Sequence, residues 1–143
     1  MTLEIPHPEL HGIFTKLGTA HLIKESAFID ISGGLTLGDH SSIGERAMVY
    51  THRHPTDLQF WQDLPAVATP LLIDDYAYIG AGAIVLAGVK RIGKYSFVGA
   101  GSVLTHEVPD LEIWGGNPAK KIKNVLTKAT NEMWTEYTEK IKK

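Results

Sequence analysis

Residues 49–57 read VYTHRHPTD, placing two histidines one residue apart ahead of a proline and an aspartate. Such a pair admits three chemistries: ligating a metal, taking a proton from a nucleophile near neutral pH, or decorating a turn. A metal site needs further ligands converging on the pair. His40, Asp74 and Asp75 are the available ones, but they show no familiar spacing, so no metal is expected. Proton removal is what acyl transfer to a hydroxyl or amine requires, because the nucleophile sheds its proton as it attacks. Near the other end, GGNPAKKIK (115–123) sets Lys120, Lys121 and Lys123 after a Gly-Asn-Pro corner, where lysines can serve as point charges for phosphate groups. There is no GxxxxGKS phosphate loop, and GAGA at 80–83 is no dinucleotide fingerprint, since no helix is expected after it.

The elements that must position these residues are set by a repeat. Aliphatic residues recur every six positions at Leu17, Ile23 and Ile29, at Leu37, Ile43 and Val49, at Ile73, Ile79 and Val85, and at Ile92, Val98 and Leu104. Glycine often follows them, and small residues (Ala27, Ser41, Ala47, Ala77, Ala83, Ser96, Ser102) lie four positions after them. A period of six fits neither an α-helix nor a long alternating strand. It fits a chain that turns a corner every six residues and points one aliphatic side chain into a narrow interior, with about 18 residues per coil. The expected architecture is a single all-β domain over 1–143: a parallel β-helix of about four coils over 17–108, a tail over 109–124, and an amphipathic helix within 125–143. The apolar positions expected of that last segment are Leu126, Met133, Trp134, Tyr137 and Ile141.

The repeat is broken in three places. Two extra residues fall near Ser32–Gly34, one falls near Arg91, and Val49 and Ile73 stand 24 positions apart where six would continue the coil. The last gap makes an excursion over 55–72, directly after the histidines. Leu58, Phe60, Trp61, Leu64 and Val67 make it too apolar for a disordered linker. It can pack on its own coil or help bind an acceptor.

Composition narrows the field. The formal charge of -2 gives no electrostatic case for nucleic acid or an anionic membrane, and the absence of cysteine excludes disulfides and thiolate catalysis. With no basic-then-apolar start and no apolar run of membrane length, a cytoplasmic protein is expected.

IGAGAIVLAGVKRIGKYSFVGAGSVLT (79–105) resembles the standard phrase of the hexapeptide-repeat acetyltransferases, and the likeness runs over roughly residues 17–123. The resemblance is to the maltose- and galactoside-type sugar O-acetyltransferases in particular. It implies a left-handed β-helix, a homotrimer with active sites between subunits, and acetyl coenzyme A as co-substrate with no tightly bound cofactor. A family phrase ending T-H-P-x-D aligns with Pro55 and Asp57, which puts the catalytic base on His54, with His52 as its rival. Coenzyme contacts would fall on Ala81, Ala100, Thr105, Lys120 and Lys123, and on His106, which stands where the family usually has lysine. Lys121, Lys142 and Lys143 read as solvated surface. Acceptor contacts are assigned to Asp30, Tyr78 and Trp61, and the loop is expected to reach a neighbouring subunit. The implied reaction is acetyl transfer to a sugar hydroxyl. The alternatives are N-acetylation of an amino sugar or xenobiotic, and a scaffold without catalysis.

Overall fold

A computed structural model describes residues 2–4, 14–56, 59, 64–126 and 131–142. Short parallel strands stack into three sheets, which form the faces of a prism. Face one holds Phe14–Leu17, Leu35–Leu37, Leu71–Ile73 and Arg91–Ile92. Face two holds Leu22–Ile23, Ser42–Ile43, Tyr78–Ile79, Phe97–Val98 and Glu112–Gly116. Face three holds Thr2–Glu4, Phe28–Asp30, Met48–Val49, Ile84–Val85 and Val103–Leu104. The chain visits the faces in that order, making four complete coils, and an isolated bridge from Val108 to Ile92 begins the next turn. Strand pairing begins ahead of the expected start at 17, since Thr2–Glu4 already lies on Phe28–Asp30.

The six-residue period has the expected cause. Ile29, Leu37, Ile43, Val49, Ile73, Ile79, Val85, Ile92, Val98 and Leu104 fill the core. Leu17 does not: at the end of the stack it is 51% exposed. The small residues are buried at the corners, where Ser41 and Ser96 also donate their hydroxyls to the Gly38 and Gly93 carbonyls at 2.9 and 2.5 Å. Gly80 permits close stacking of coils: a Cβ there would lie 2.5 Å from the Ala100 backbone nitrogen.

The corner between faces one and two, where Ser41 and Ser96 sit, also carries a column of rings. His40, Tyr76 and Tyr95 occupy it in successive coils with φ of 57, 59 and 55°. This left-handed conformation costs a non-glycine residue about 1–2 kcal/mol. The rings stack in a column, with centroids 4.8 Å apart for His40–Tyr76 and 4.7 Å for Tyr76–Tyr95, which offsets part of that cost. Tyr76→Ala keeps the backbone cost and removes both ring contacts, so it should lower stability by about 1–3 kcal/mol. A denaturant midpoint that does not move would show the column to be energetically idle.

The outer surfaces differ in character. Face three presents Phe28, Met48, Ile84 and Val103, and face two presents Leu22, Tyr78, Phe97 and Ile113. Face one carries Thr36, Leu72 and Arg91, the last bonded to Asp74 at 2.9 Å and Asp110 at 2.5 Å. The tail is a hairpin in which Glu112–Gly116 pairs antiparallel with Ala119–Asn124. The helix spans Asn131–Ile141. Leu126 precedes it, and both Leu126 and Ile141 are exposed rather than packed; the side chains of Met133, Trp134 and Tyr137 lie outside the described residues. Among the described residues no helix is long and apolar enough to cross a membrane.

Candidate active site

All three breaks in the repeat fall at one corner, between faces three and one. Ile31–Gly34, the excursion from Tyr50 to Pro70, and Leu86–Lys90 stack there, with Gly34 and Gly88 both at φ 101°. The excursion leaves and returns through an antiparallel pair in which His52 faces Ala68 and Arg53 faces Val67. The Thr69 N–H donates to the Thr51 carbonyl at 2.7 Å, so the returning chain clamps the residue just before the histidines.

Asp30 ends the strand Phe28–Asp30 and would face outward by simple alternation after Ile29. The extra residues wrap it instead, and it is fully buried. Its Oδ1 accepts the Ser32 N–H at 2.9 Å and the Ser32 hydroxyl at 2.5 Å. Its Oδ2 accepts the Thr51 N–H at 3.0 Å and meets His52 Nδ1 at 2.5 Å. The Thr51 hydroxyl donates to the Asp30 carbonyl at 2.7 Å and accepts the Gly33 N–H at 2.9 Å. Only glycine fits at 33, where a Cβ would stand 1.6 Å from the Thr51 carbonyl oxygen. Burial pushes the Asp30 carboxyl pKa up. The hydrogen bonds from Ser32, Thr51 and His52 outweigh that and hold it below the usual carboxylate range. An ionised carboxylate only accepts, so Nδ1 of His52 carries the proton in this contact and the other ring nitrogen, Nε2, becomes the acceptor of a neutral ring. The His54 ring meets the His52 ring edge-on, centroids 5.5 Å apart at 86°.

The structure therefore brings His52, His54 and Asp30 together. Ser32 and Thr51 complete the group. The sequence signal for Ser32 was its place in an insertion; Thr51 left none beyond adjacency to His52. Asp30, expected to contact an acceptor, is buried with both carboxylate oxygens engaged. Trp61 lies outside the described residues, and Tyr78 stacks on Phe97 at 4.4 Å on face two, away from the histidine corner. Among the described residues no group of three or more His, Cys, Asp or Glu could hold a metal.

The residues expected to meet the coenzyme lie elsewhere on the chain. Ala81 and Ala100 are exposed and stacked at the corner between faces two and three, where the Gly101 N–H donates to the Ala81 carbonyl at 2.9 Å. His106 and Lys120 help line a cavity of about 260 Å³ with Trp114, Pro118 and Lys121. Thr105 Oγ1 is 2.9 Å from His106 Nδ1. Lys121, expected to be solvated, is paired with Glu112 at 3.2 Å. Lys123 is exposed on the tail hairpin and does not line the cavity.

No family model matches the chain. It is 44% identical over 79 residues to a 2,3,4,5-tetrahydropyridine-2,6-dicarboxylate N-acetyltransferase of Clostridium perfringens, a match covering 55% of this chain and 32% of that protein. Among solved structures, a hexapeptide-repeat acetyltransferase of Vibrio cholerae complexed with acetyl coenzyme A aligns with a TM-score of 0.68 and 28% identity, over 82% of this chain and 73% of that one. A maltose O-acetyltransferase of Clostridium difficile gives a TM-score of 0.66 at 25% identity, over 79% and 71%. The chain spans less than half the length of the curated relatives it matches. By coil and repeat it is a left-handed parallel β-helix of the hexapeptide class. In sequence and in fold it is similar to hexapeptide-repeat acetyltransferases.

Proposed function

We propose that this protein transfers an acetyl group from acetyl coenzyme A to a sugar hydroxyl, with His54 as general base. The observation that carries this reading is the histidine pair, with His52 held by the buried Asp30 and His54 edge-on to it, at the corner where the breaks in the repeat stack. His54 takes the hydroxyl proton as the oxygen attacks the thioester carbonyl. The tetrahedral intermediate collapses, the coenzyme leaves as a thiolate, and the proton held by the imidazole returns to the sulfur. A second reading exchanges the two histidines, and the Asp30 contact favours it, because a carboxylate-held imidazole is the usual form of an oriented base. The likeness to a maltose O-acetyltransferase supports a hydroxyl acceptor, and the likeness to an N-acetyltransferase keeps an amine as the alternative. Dependence on acetyl coenzyme A accords with the expected cytoplasmic setting.

The assembly we propose is a trimer. Face three is apolar and is flanked by the two corners of interest, the histidines on one side and Ala81 with Ala100 on the other. A ring closed on that face sets the histidine corner of one copy beside the alanine corner of the next. Each site then draws on two chains.

Coenzyme binding separates an enzyme from a scaffold. Coenzyme A at a hundred times its Kd should stabilise the fold by about 2.7 kcal/mol, read as a rise in Tm. Lys120→Glu should remove most of that rise. It should also raise KM for acetyl coenzyme A by about 10–100-fold, the worth of one charged hydrogen bond, with acceptor KM unchanged. A Tm indifferent to millimolar coenzyme would leave the scaffold reading standing.

A further inference from the structure

We infer that Asp30, held in place by Ser32, is a positioning residue that fixes the tautomer and orientation of His52 and does not touch the acceptor. The inference rests on the reading of the histidine corner as the catalytic site, and it holds whichever histidine is the base. It begins with what the cradle costs. A buried carboxylate is expensive unless each oxygen is bonded. Here the chain spends an insertion on that bonding: Ser32 supplies two donors, Thr51 a third, and Gly33 is small enough for the turn to close on the Thr51 carbonyl. Backbone and hydroxyl donors alone could be met by a neutral oxygen. The one partner in the cluster whose behaviour changes with a carboxylate is the imidazole of His52.

The contacts also set a direction. The Ser32 hydroxyl points its hydrogen at Asp30 Oδ1, and its oxygen lies 3.1 Å from His52 Nδ1. Nδ1–H is thus offered two acceptors on the same side, Asp30 Oδ2 and Ser32 Oγ, and Nε2 is turned away from both. The pair His52↔Ala68 stops the ring's strand from swinging outward. The His54 ring stands edge-on to the ring so held. An acceptor hydroxyl approaching Asp30 would have to displace Ser32 or His52 from a residue with no exposed surface.

The test uses the full-length protein with ¹⁵N-labelled histidine. Long-range ¹H–¹⁵N spectra should show His52 protonated on Nδ1 in the wild type. Asp30→Asn, which keeps the shape and loses the charge, should shift it toward the Nε2–H form. Ser32→Ala, which keeps the carboxylate, should shift it less, and it stands in if the asparagine variant does not fold. In turnover assays Asp30→Asn should lower kcat by about 10–10³-fold with acceptor KM within about twofold. The inference is overturned if wild-type His52 is protonated on Nε2, or if Asp30→Asn leaves the tautomer unchanged. A raised acceptor KM with kcat preserved would make Asp30 an acceptor contact instead. The spectra need no substrate, so a protein that acetylates nothing would sink the acetyltransferase reading and leave the Asp30–His52 assignment to be judged on its own.

Discussion

His54→Ala should lower turnover on a true acceptor by about 10²–10⁴-fold, the range for losing a general base, while coenzyme A still raises Tm as in the wild type. The split between chemistry and coenzyme binding is expected because the candidate coenzyme residues occupy other parts of the chain. His52 provides the comparison. If His54 is the base and His52 its support, His52→Asn should be the milder lesion. If His52→Asn does the greater damage while the protein stays folded, the base is His52 and the motif register is wrong by two residues. The folding check matters, because removing His52 strips a hydrogen-bond donor from the buried Asp30 carboxylate, and a buried charge short of a partner is costly.

Met48→Glu should dissociate the proposed trimer and abolish most of the activity together. Met48 is 40% exposed in one chain and sits in register between Phe28 and Ile84 at the middle of face three. A glutamate buried there between copies would be an unpaired charge in an apolar contact, costing several kcal/mol at each of three interfaces. Light scattering would report monomers, and since the proposed assembly shares each site between chains, turnover should fall by at least about 100-fold, equivalent to some 2.7 kcal/mol. A monomer that retains full activity would refute the shared site. A trimer that survives the substitution would move the interface to the apolar surface of face two.

The coils could be read from the sequence because a prism with one inward aliphatic per side leaves no other period available. Val49, Ile79 and Leu104 point inward for the same reason, and each could be assigned without any structure. Leu17 was misjudged because periodicity reports the direction of a side chain and not whether another coil lies beyond it. The histidine corner was legible as a break in the pattern, and the breaks near Ser32 and Arg91 proved to stack with it. What the sequence hid was the contact of Asp30 with His52, residues 22 positions apart that only the coil pitch brings together. Alternation along the strand pointed Asp30 to solvent. The bend at Ser32–Gly34 reversed that: the Ser-Gly-Gly run marks a turn, but residue type does not say which way the turn carries the preceding side chain.

The clamp at the base of the excursion has a consequence for how such a protein can change. Leu71 re-enters directly on Leu35, and Thr69 is tied to Thr51, so both ends of the detour are pinned to coils that do not depend on what lies between. Doubling a loop's length costs only about 0.6 kcal/mol of closure entropy. Insertions, deletions or wholesale replacement between Pro55 and Val67 can therefore leave every strand above and below in register, with Asp30, His52 and His54 undisturbed. The prism behaves as a fixed chassis with one interchangeable fitting, whose sequence can drift without refolding the coils that carry it.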